Sequence, residues 1–382
     1  MIRLENLTKT FETPEGIITA ADNINMTVGK GEICVLLGPS GCGKTTTLKM
    51  LNRIVPPTSG KVFIDGEDTS TLNTIDLRRN IGYVIQQIGL FPNMTIAENI
   101  SVVPKLLGWD KTRYTARAEE LLAMVALEPK TFMRRFPREL SGGQQQRIGV
   151  IRALAADPEV MLMDEPFGAI DPINRAVIQD EFLKMQQTLQ KTILFVSHDI
   201  DEAIKMADKI AIFDEGKLIQ FDSPDNLLAH PCNKFVENFV GSDRTLKRLR
   251  LAKVSEVMTP APTPVKRDDD LQHALKIMHE RDYIAVTLVD EFGRPIGTIN
   301  RDLAGSKRGR CGDHFYGLRA IANVNDDLRS VASSMFSNDT TWMPCVDDDG
   351  VFRGEISQRG VTHYLGATYR RQERDNTLNR ET

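Results

Sequence analysis

Gly38-Pro-Ser-Gly-Cys-Gly-Lys44-Thr45 is the stretch on which the reading of this chain turns. It follows the apolar run Glu32–Leu37, predicted as a strand, and opens a predicted helix over Lys44–Asn52. Glycine-rich backbone in that position wraps an oxyanion with its N–H groups, and the helix N-terminus supplies more of them. Lys44 is then expected to bridge β- and γ-phosphates and Thr45 to ligate Mg²⁺. Gly38, Pro39, Ser40, Gly41, Cys42, Gly43 and Thr46 complete the expected cradle, with Cys42 as a small filler rather than a redox group.

A second stretch fits the first. Val160-Met-Leu-Met-Asp164-Glu165 is four apolar residues closed by two carboxylates, predicted as a buried parallel strand that ends beside the loop. Asp164 is expected to hold Mg²⁺ through Thr45 or water, while Glu165, pointing differently, polarises the attacking water. Around these motifs the first 240 residues alternate short apolar runs with amphipathic ones, the pattern of an α/β domain on a mostly parallel sheet. Further strands are expected at Ile193–Ser197 and in a hairpin over Lys209–Asp222 that turns at Asp214-Glu215-Gly216. Residues 87–160 read as an all-α lobe inserted between two strands of the sheet.

Composition narrows the class. A chain of 382 residues with 41% hydrophobic and 26% charged content is globular and long enough for two or three domains. With 48 Lys+Arg against 52 Asp+Glu the net charge is −4, which argues against a polybasic nucleic-acid binder. No run reaches membrane-spanning length, and the N-terminus enters a strand pattern at Ile2, Leu4 and Leu7, so no cleaved leader is expected. Five scattered cysteines lack metal spacing and read as reduced thiols.

Leu140-Ser-Gly-Gly-Gln-Gln-Gln-Arg147 decides the family. Ser141 is a predicted N-cap, and Gly142 and Gly143 leave N–H groups free at the start of a helix running to Ala156. That is a second anion site in a chain whose first loop already cradles a phosphate. On these motifs the chain resembles the ATP-binding cassette (ABC) ATPases. The resemblance implies a P-loop α/β fold: a RecA-like core with an antiparallel β subdomain and a helical subdomain. It implies two ATP, with Mg²⁺, sandwiched in a head-to-tail dimer, where Ser141, Gly142, Gly143 and Gln144 of one copy cap the γ-phosphate held by the other. By the same resemblance Phe11 stacks on adenine, Gln86 meets Mg²⁺ and the membrane subunits, Asp171 crosses the dimer and His198 contacts the γ-phosphate. Lys44, Glu165 and His198 are the residues hydrolysis is expected to need. Two departures are mild: Phe11 stands where Tyr is frequent, and Ile170 where Leu is usual.

Finer resemblance, in Gly82–Phe91, Asp164–Arg175 and His198–Ala203, is to bacterial importer ATPases serving osmoprotectants such as glycine betaine, choline and carnitine. It implies two integral-membrane permease subunits as partners, docking a short helix near Gln86–Asn93, and indirectly a solute-binding protein. The place of action would be the cytoplasmic face of the bacterial inner membrane, peripherally. Two alternatives stay open: an importer of a different small solute, and a soluble ABC protein acting on nucleic acid.

Beyond a basic stretch at 241–254, expected to be a linker, the sequence repeats itself. Residues 270–301 align without gaps on 327–358, with nine identities from Asp270/Asp327 to Ile299/Ile356. Each copy reads as helix, strand, acidic-Gly turn and strand, so the two are expected to pair. They resemble a tandem pair of cystathionine-β-synthase (CBS) motifs, an α+β module assigned to 255–310 and 311–368, with a charged tail at 369–382. Nucleotide-binding CBS pairs carry Ser or Thr three residues before Asp. Here Asn300 stands two before Asp302, and Ser357 is followed by Gly360 instead. Dimerisation, nucleotide sensing and ionic-strength sensing all remain open for this module.

Overall fold

The computed structural model describes residues 1–14, 16–86, 89–168, 170–260 and 263–366, so the tail expected at 369–382 lies outside the described residues. Two compact units divide at Ser242/Asp243. The first runs β1 (Ile2–Thr13), β2 (Gly16–Val28), β3 (Ile33–Leu37), α1 (Lys44–Leu51), β4 (Ser59–Ile64), β5 (Glu67–Asp68), α2 (Thr74–Arg79) and β6 (Ile81–Val84). Helices α3 (Ile96–Leu106), α4 (Lys111–Met124), α5 (Pro129–Phe132) and α6 (Gly142–Leu154) follow as the lobe between strands. The chain returns through β7 (Val160–Asp164), α7 (Pro172–Leu189), β8 (Thr192–Val196), α8 (Ile200–Met206), β9 (Lys209–Asp214) and β10 (Lys217–Asp222), then α9 (Pro224–Ala229) and α10 (Lys234–Val240).

Two sheets form. An antiparallel one has the order β2-β1-β4-β5, and the central one the order β10-β9-β3-β8-β7-β6. In the central sheet β3, β7 and β8 are five residues each and every residue is buried, which is why the sequence shows continuous apolar runs rather than alternation there. They pair in parallel register: Leu36 lies opposite Val196, and Val196 opposite Asp164. The segments that carry Lys44 and Thr45, Asp164 and Glu165, and His198 therefore leave the sheet at one edge, its C-terminal edge, where α/β proteins place ligands. The expected hairpin at 209–222 is β9–β10, and the helix expected to run to Ala156 is α6, which ends at Leu154.

The second unit opens with α11 (Arg244–Arg248), α12 (Val254–Val257) and the short strands β11 (Thr259–Pro260) and β12 (Val265–Lys266). The first repeat supplies α13 (Leu271–Glu280), β13 (Ala285–Val289), β14 (Pro295–Asn300) and α14 (Arg301–Ser306). The second supplies β15 (Ala322–Asn323), α15 (Leu328–Ser337), β16 (Trp342–Val346) and β17 (Phe352–Ser357). The repeat identities have structural causes. Asp270 and Asp327 cap α13 and α15 through the N–H groups of Gln272 and Ser330. Asp290 and Asp347 each accept two backbone N–H bonds in the turn, where Gly293 and Gly350 take φ of 77° and 79°.

The stretch expected to be a linker folds instead. Leu249, Ala252 and Val254 lie in one core with Leu328, Met335 and Ile356 of the second repeat, and β11 pairs with β17. Conversely Cys311 packs in the first repeat's core, and Tyr316 exchanges backbone hydrogen bonds with Thr298. The segment before the first repeat thus completes the core of the second, the segment after the first repeat stays with the first, and the boundaries read at 254/255 and 310/311 cut through both cores. Because apolar side chains buried at Leu249 contribute by transfer and packing, Leu249→Ala should cost the second unit about 2–5 kcal/mol. Differential scanning calorimetry should show this as a lowered transition for that unit, with the first unit unchanged.

Candidate functional site

The loop 38–45 is bare backbone by necessity. Gly38 has φ of 146° and Gly43 φ of 100°; a Cβ at the first would meet Phe213 O at 2.2 Å, and at the second Ala20 O at 2.0 Å. Pro39, Ser40 and Gly41 are exposed, Cys42 is buried as filler, and Thr46 is half-buried in the first turn of α1. Lys44 is buried, with Nζ donating to Gly38 O and Pro39 O at 2.8 Å each. Among the described residues it forms no ion pair. A buried ammonium held by two carbonyl dipoles and, at 3.5 Å, the Cys42 sulfur, with no carboxylate against it, fits an anionic ligand in the loop.

Thr45 Oγ1 donates to Asp164 Oδ1 at 2.9 Å, joining the start of α1 to the end of β7. Burial pushes the Asp164 carboxyl above its ordinary value, against the opposing pull of the Thr45 hydrogen bond and of Lys49 and Lys44. Beside it the Tyr83 hydroxyl is pushed up to about 12, by burial first and by Asp164 second. A hydroxyl and an ionisable carboxylate in contact form the hard oxygen pair that suits Mg²⁺.

Glu165 follows with φ of 49°, a left-handed conformation that costs a non-glycine residue free energy of order 1 kcal/mol. Its N–H donates to Val196 O at 3.1 Å, and its own C=O accepts from Gly168, so the chain turns sharply as it leaves the strand. The turn carries the carboxylate to Gln86, whose Nε2 donates to Oε2 at 3.0 Å, and to within 3.7 Å of His198 Nδ1. Lys44, Thr45 and Asp164 thus form one group, and Gln86, Glu165 and His198 another, on consecutive residues of the same strand end.

The remaining residues read from the sequence lie on other elements. Ser141 caps α6 reciprocally: Gln144 N–H donates to its hydroxyl at 3.3 Å, and its own N–H to Gln144 Oε1 at 3.0 Å. No atom lies within 4 Å of where a Gly142 Cβ would stand, so the N-terminal face of α6 is open. Asp171 caps α7 by accepting from Asn174 N at 3.1 Å. Phe11 sits exposed near the end of β1 with Lys9 Nζ 4.9 Å from its ring centre.

Several residues of the site went unassigned in the sequence. Gln146, buried in α6, donates through Nε2 to Pro166 O directly after Glu165. Glu202, buried in α8, accepts from Gln179 Nε2 at 2.8 Å, and burial pushes its carboxyl up. Arg175 spans two loops. The one available signal was polar residues on helix faces that must otherwise pack.

The second unit holds an open cavity of ≈ 770 Å³ between its repeats, walled by Tyr316, Trp342, Arg301, Arg319 and Asp302. Both arginines are engaged, Arg301 with Tyr283 O at 2.6 Å and Asp282 at 2.9 Å, and Arg319 with Asp339 at 3.5 Å. Asn300 caps α14 by accepting from Leu303 N at 2.9 Å, and Ser357 accepts from Gly360 N at 3.1 Å. Of the charge contacts, Arg310 pairs with Asp268 at 3.0 Å, and Asp347 with Arg353 at 2.7 Å.

The chain is similar to known proteins in both of its units. The family model described as ABC transporter matches residues 21–168, and that described as CBS domain matches 254–302. The osmoprotectant import ATP-binding protein OsmV of Salmonella typhimurium is 56% identical over 369 residues, 96% of this chain and 97% of its own. The choline transport ATP-binding protein OpuBA of Bacillus subtilis is 49% identical over 373 residues, 94% of this chain and 95% of its own. Among solved structures, a dimeric ATP-binding cassette in a post-hydrolysis state bound to ADP and Pi superposes with TM-score 0.53 at 35% identity. The match covers 58% of this chain and 98% of that one.

Asp164 generates a test on the ligand-free chain. Its folded-state value lies above the unfolded one, so the folded chain binds the proton more tightly, and stability falls as pH rises through that window. At neutral pH the ionised carboxylate is a net cost. Asp164→Asn, which still accepts from Thr45, should therefore raise the melting temperature without nucleotide, by about 2–4 °C per kcal/mol relieved. The same variant should lose the further rise that MgATP gives the wild type.

Proposed function

The chain belongs to the ABC transporter family, and on that premise we propose that it is the ATP-hydrolysing subunit of a bacterial importer for osmoprotectants. Quaternary ammonium compounds such as glycine betaine, choline and carnitine are the proposed cargo. One observation carries the chemical part: Gln86, Glu165 and His198 converge one residue past the Thr45–Asp164 pair. Relatives matched nearly end to end, second unit included, support the cargo class.

In the proposed mechanism the loop 38–45 wraps the β- and γ-phosphates and Lys44 Nζ exchanges carbonyl oxygens for phosphate oxygens. Thr45, Asp164 and Gln86 would hold Mg²⁺, which when bound neutralises charge on the phosphates. Glu165, oriented by Gln86, takes a proton from the attacking water as the new P–O bond forms and the bond to the β-phosphate oxygen breaks. His198 steadies the γ-phosphate. Phe11 stacks on adenine. The open N-terminus of α6, with Ser141, Gly142, Gly143 and Gln144, caps the nucleotide of a second copy, and Asp171 crosses between copies. An isologous pair closes two sites at once.

Two permease subunits are the proposed membrane partners, each docking near Gln86–Asn93, where Ile85, Phe91 and Met94 are exposed apolar side chains. A solute-binding protein would act through them. Among the described residues no helix is long and apolar enough to cross a membrane. The importer names of its relatives support the proposal that it sits peripherally on the cytoplasmic face of the inner membrane.

Glu165→Gln keeps shape and hydrogen bonding but removes the base, and should lower ATP turnover by about 10²–10⁴-fold while MgATP still binds and drives dimerisation. Size exclusion with MgATP and a phosphate-release assay read both effects. Ser141→Arg and Lys44→Ala, each inactive alone, should regain partial activity when mixed, because one site of the mixed dimer carries neither defect. No recovery, together with a monomer in size exclusion, would sink the sandwich arrangement. Transport itself is read by uptake of labelled betaine, choline and carnitine in proteoliposomes.

A further inference from the structure

His198 sits in a three-residue loop, 197–199, between the end of β8 and the start of α8, and its ring is exposed. The loop is held from its flanks. Asp199 Oδ1 accepts from the N–H groups of Asp201 at 2.8 Å and Glu202 at 3.3 Å, and Asp199 N–H donates to Ser197 Oγ at 3.0 Å. The other carboxylate oxygen, Oδ2, faces Arg175 Nη1 at 3.6 Å. Arg175 reaches there from the first turn of α7, and its Nη2 donates to Ile170 O at 2.9 Å. Its Nε is buried and has no hydrogen-bond partner among the described residues. A guanidinium is not taken out of water with one donor unsatisfied unless its other contacts repay that cost. Behind it the buried Gln179–Glu202 hydrogen bond ties α7 to α8 a second time.

We infer that Arg175 is a positioning residue that locks the loop carrying Asp171 to the loop carrying His198. The guanidinium is a rigid planar fork, so its two ends cannot move independently. A shift of the Ile170 carbonyl, on the residue before Asp171, is passed through Arg175 to Asp199 and so to the residue beside it, His198. Since Glu165 stands 3.7 Å from His198, that shift reaches the reacting group. The inference rests on the ATPase-dimer function proposed above, in which Asp171 is the residue that meets the second copy. Seating of the partner would then set the geometry of His198, and hydrolysis would proceed only in a properly closed pair.

The test uses the full chain, with single-turnover ATP hydrolysis, MgATP titration and thermal melting on each variant. Arg175→Ala should slow hydrolysis by about 10–100-fold while MgATP affinity and melting temperature stay within about threefold and a few degrees of wild type. Arg175→Lys keeps the charge and should regain part of that rate; it also carries the comparison if the alanine variant does not fold. Asp171→Ala, costly alone, should add less than about threefold in the Arg175→Ala background, because the coupling is already cut. An unchanged rate in Arg175→Ala overturns the inference, as does a loss that falls equally on affinity and melting, or strictly multiplicative losses in the double variant. A wild-type chain without ATPase activity overturns the proposed function together with it.

Discussion

Everything chemical in this chain depends on one constraint, the shared register of three short buried strands. Leu36, Val196 and Asp164 lie side by side across β3, β8 and β7, so the residues that follow them must emerge together. Each strand is buried on both faces, and a slip of register would turn apolar side chains against the helices out of place and leave ladder groups unpaired. The packing that fixes the strands is therefore also what fixes the distance from Thr45 to Asp164. Function is set here by the hydrophobic core, and the polar residues exploit an edge the core has already aligned.

That explains which parts were legible in the sequence. Five-residue apolar runs and a glycine-rich loop before a helix are local signals, so the loop 38–45, Asp164 and the cap at Ser141 are found at the places the residues imply. The pairing of Gln86 with Glu165 was not readable from spacing, because it needs β6 beside β7 and a left-handed turn at residue 165. A strand's alternation alone would send Glu165 to the opposite face from Asp164; only the positive φ shows where it goes. Arg175 and Glu202 were invisible for a similar reason. Each lies in a helix whose sequence alone marks no site, and what makes them part of it is the neighbouring element.

The second unit shows the opposite case, in which a strong sequence signal marks the wrong boundary. The repeat is real, and its identities fall partly on caps and tight turns, such as Asp270/Asp327 and Gly293/Gly350, and partly on buried core positions, such as Leu271/Leu328 and Met278/Met335. Repeats align where geometry is shared, however, and a core is completed by whatever apolar segment lies nearby. Leu249, Ala252 and Val254 precede the first copy yet pack with the second, and Cys311 follows the first copy and stays with it. Charge composition made residues 241–254 look like a linker, although the three apolar side chains among those basic ones were the informative part.

The two units also differ in how they treat buried carboxylates. Asp164 and Glu202 in the first unit and Glu355 in the second are all pushed above their ordinary values by burial, and each is met by a neutral donor: Thr45, Gln179 and Thr287. A neutral donor satisfies an acceptor without cancelling its charge, so such a group stays responsive to any cation or proton that arrives. An arginine partner would have given Asp164 a more stable ligand-free state and a site already neutralised. The hydroxyl of Thr45 leaves the negative charge available at the strand edge, so that a cation bound there would offset the cost of burying it.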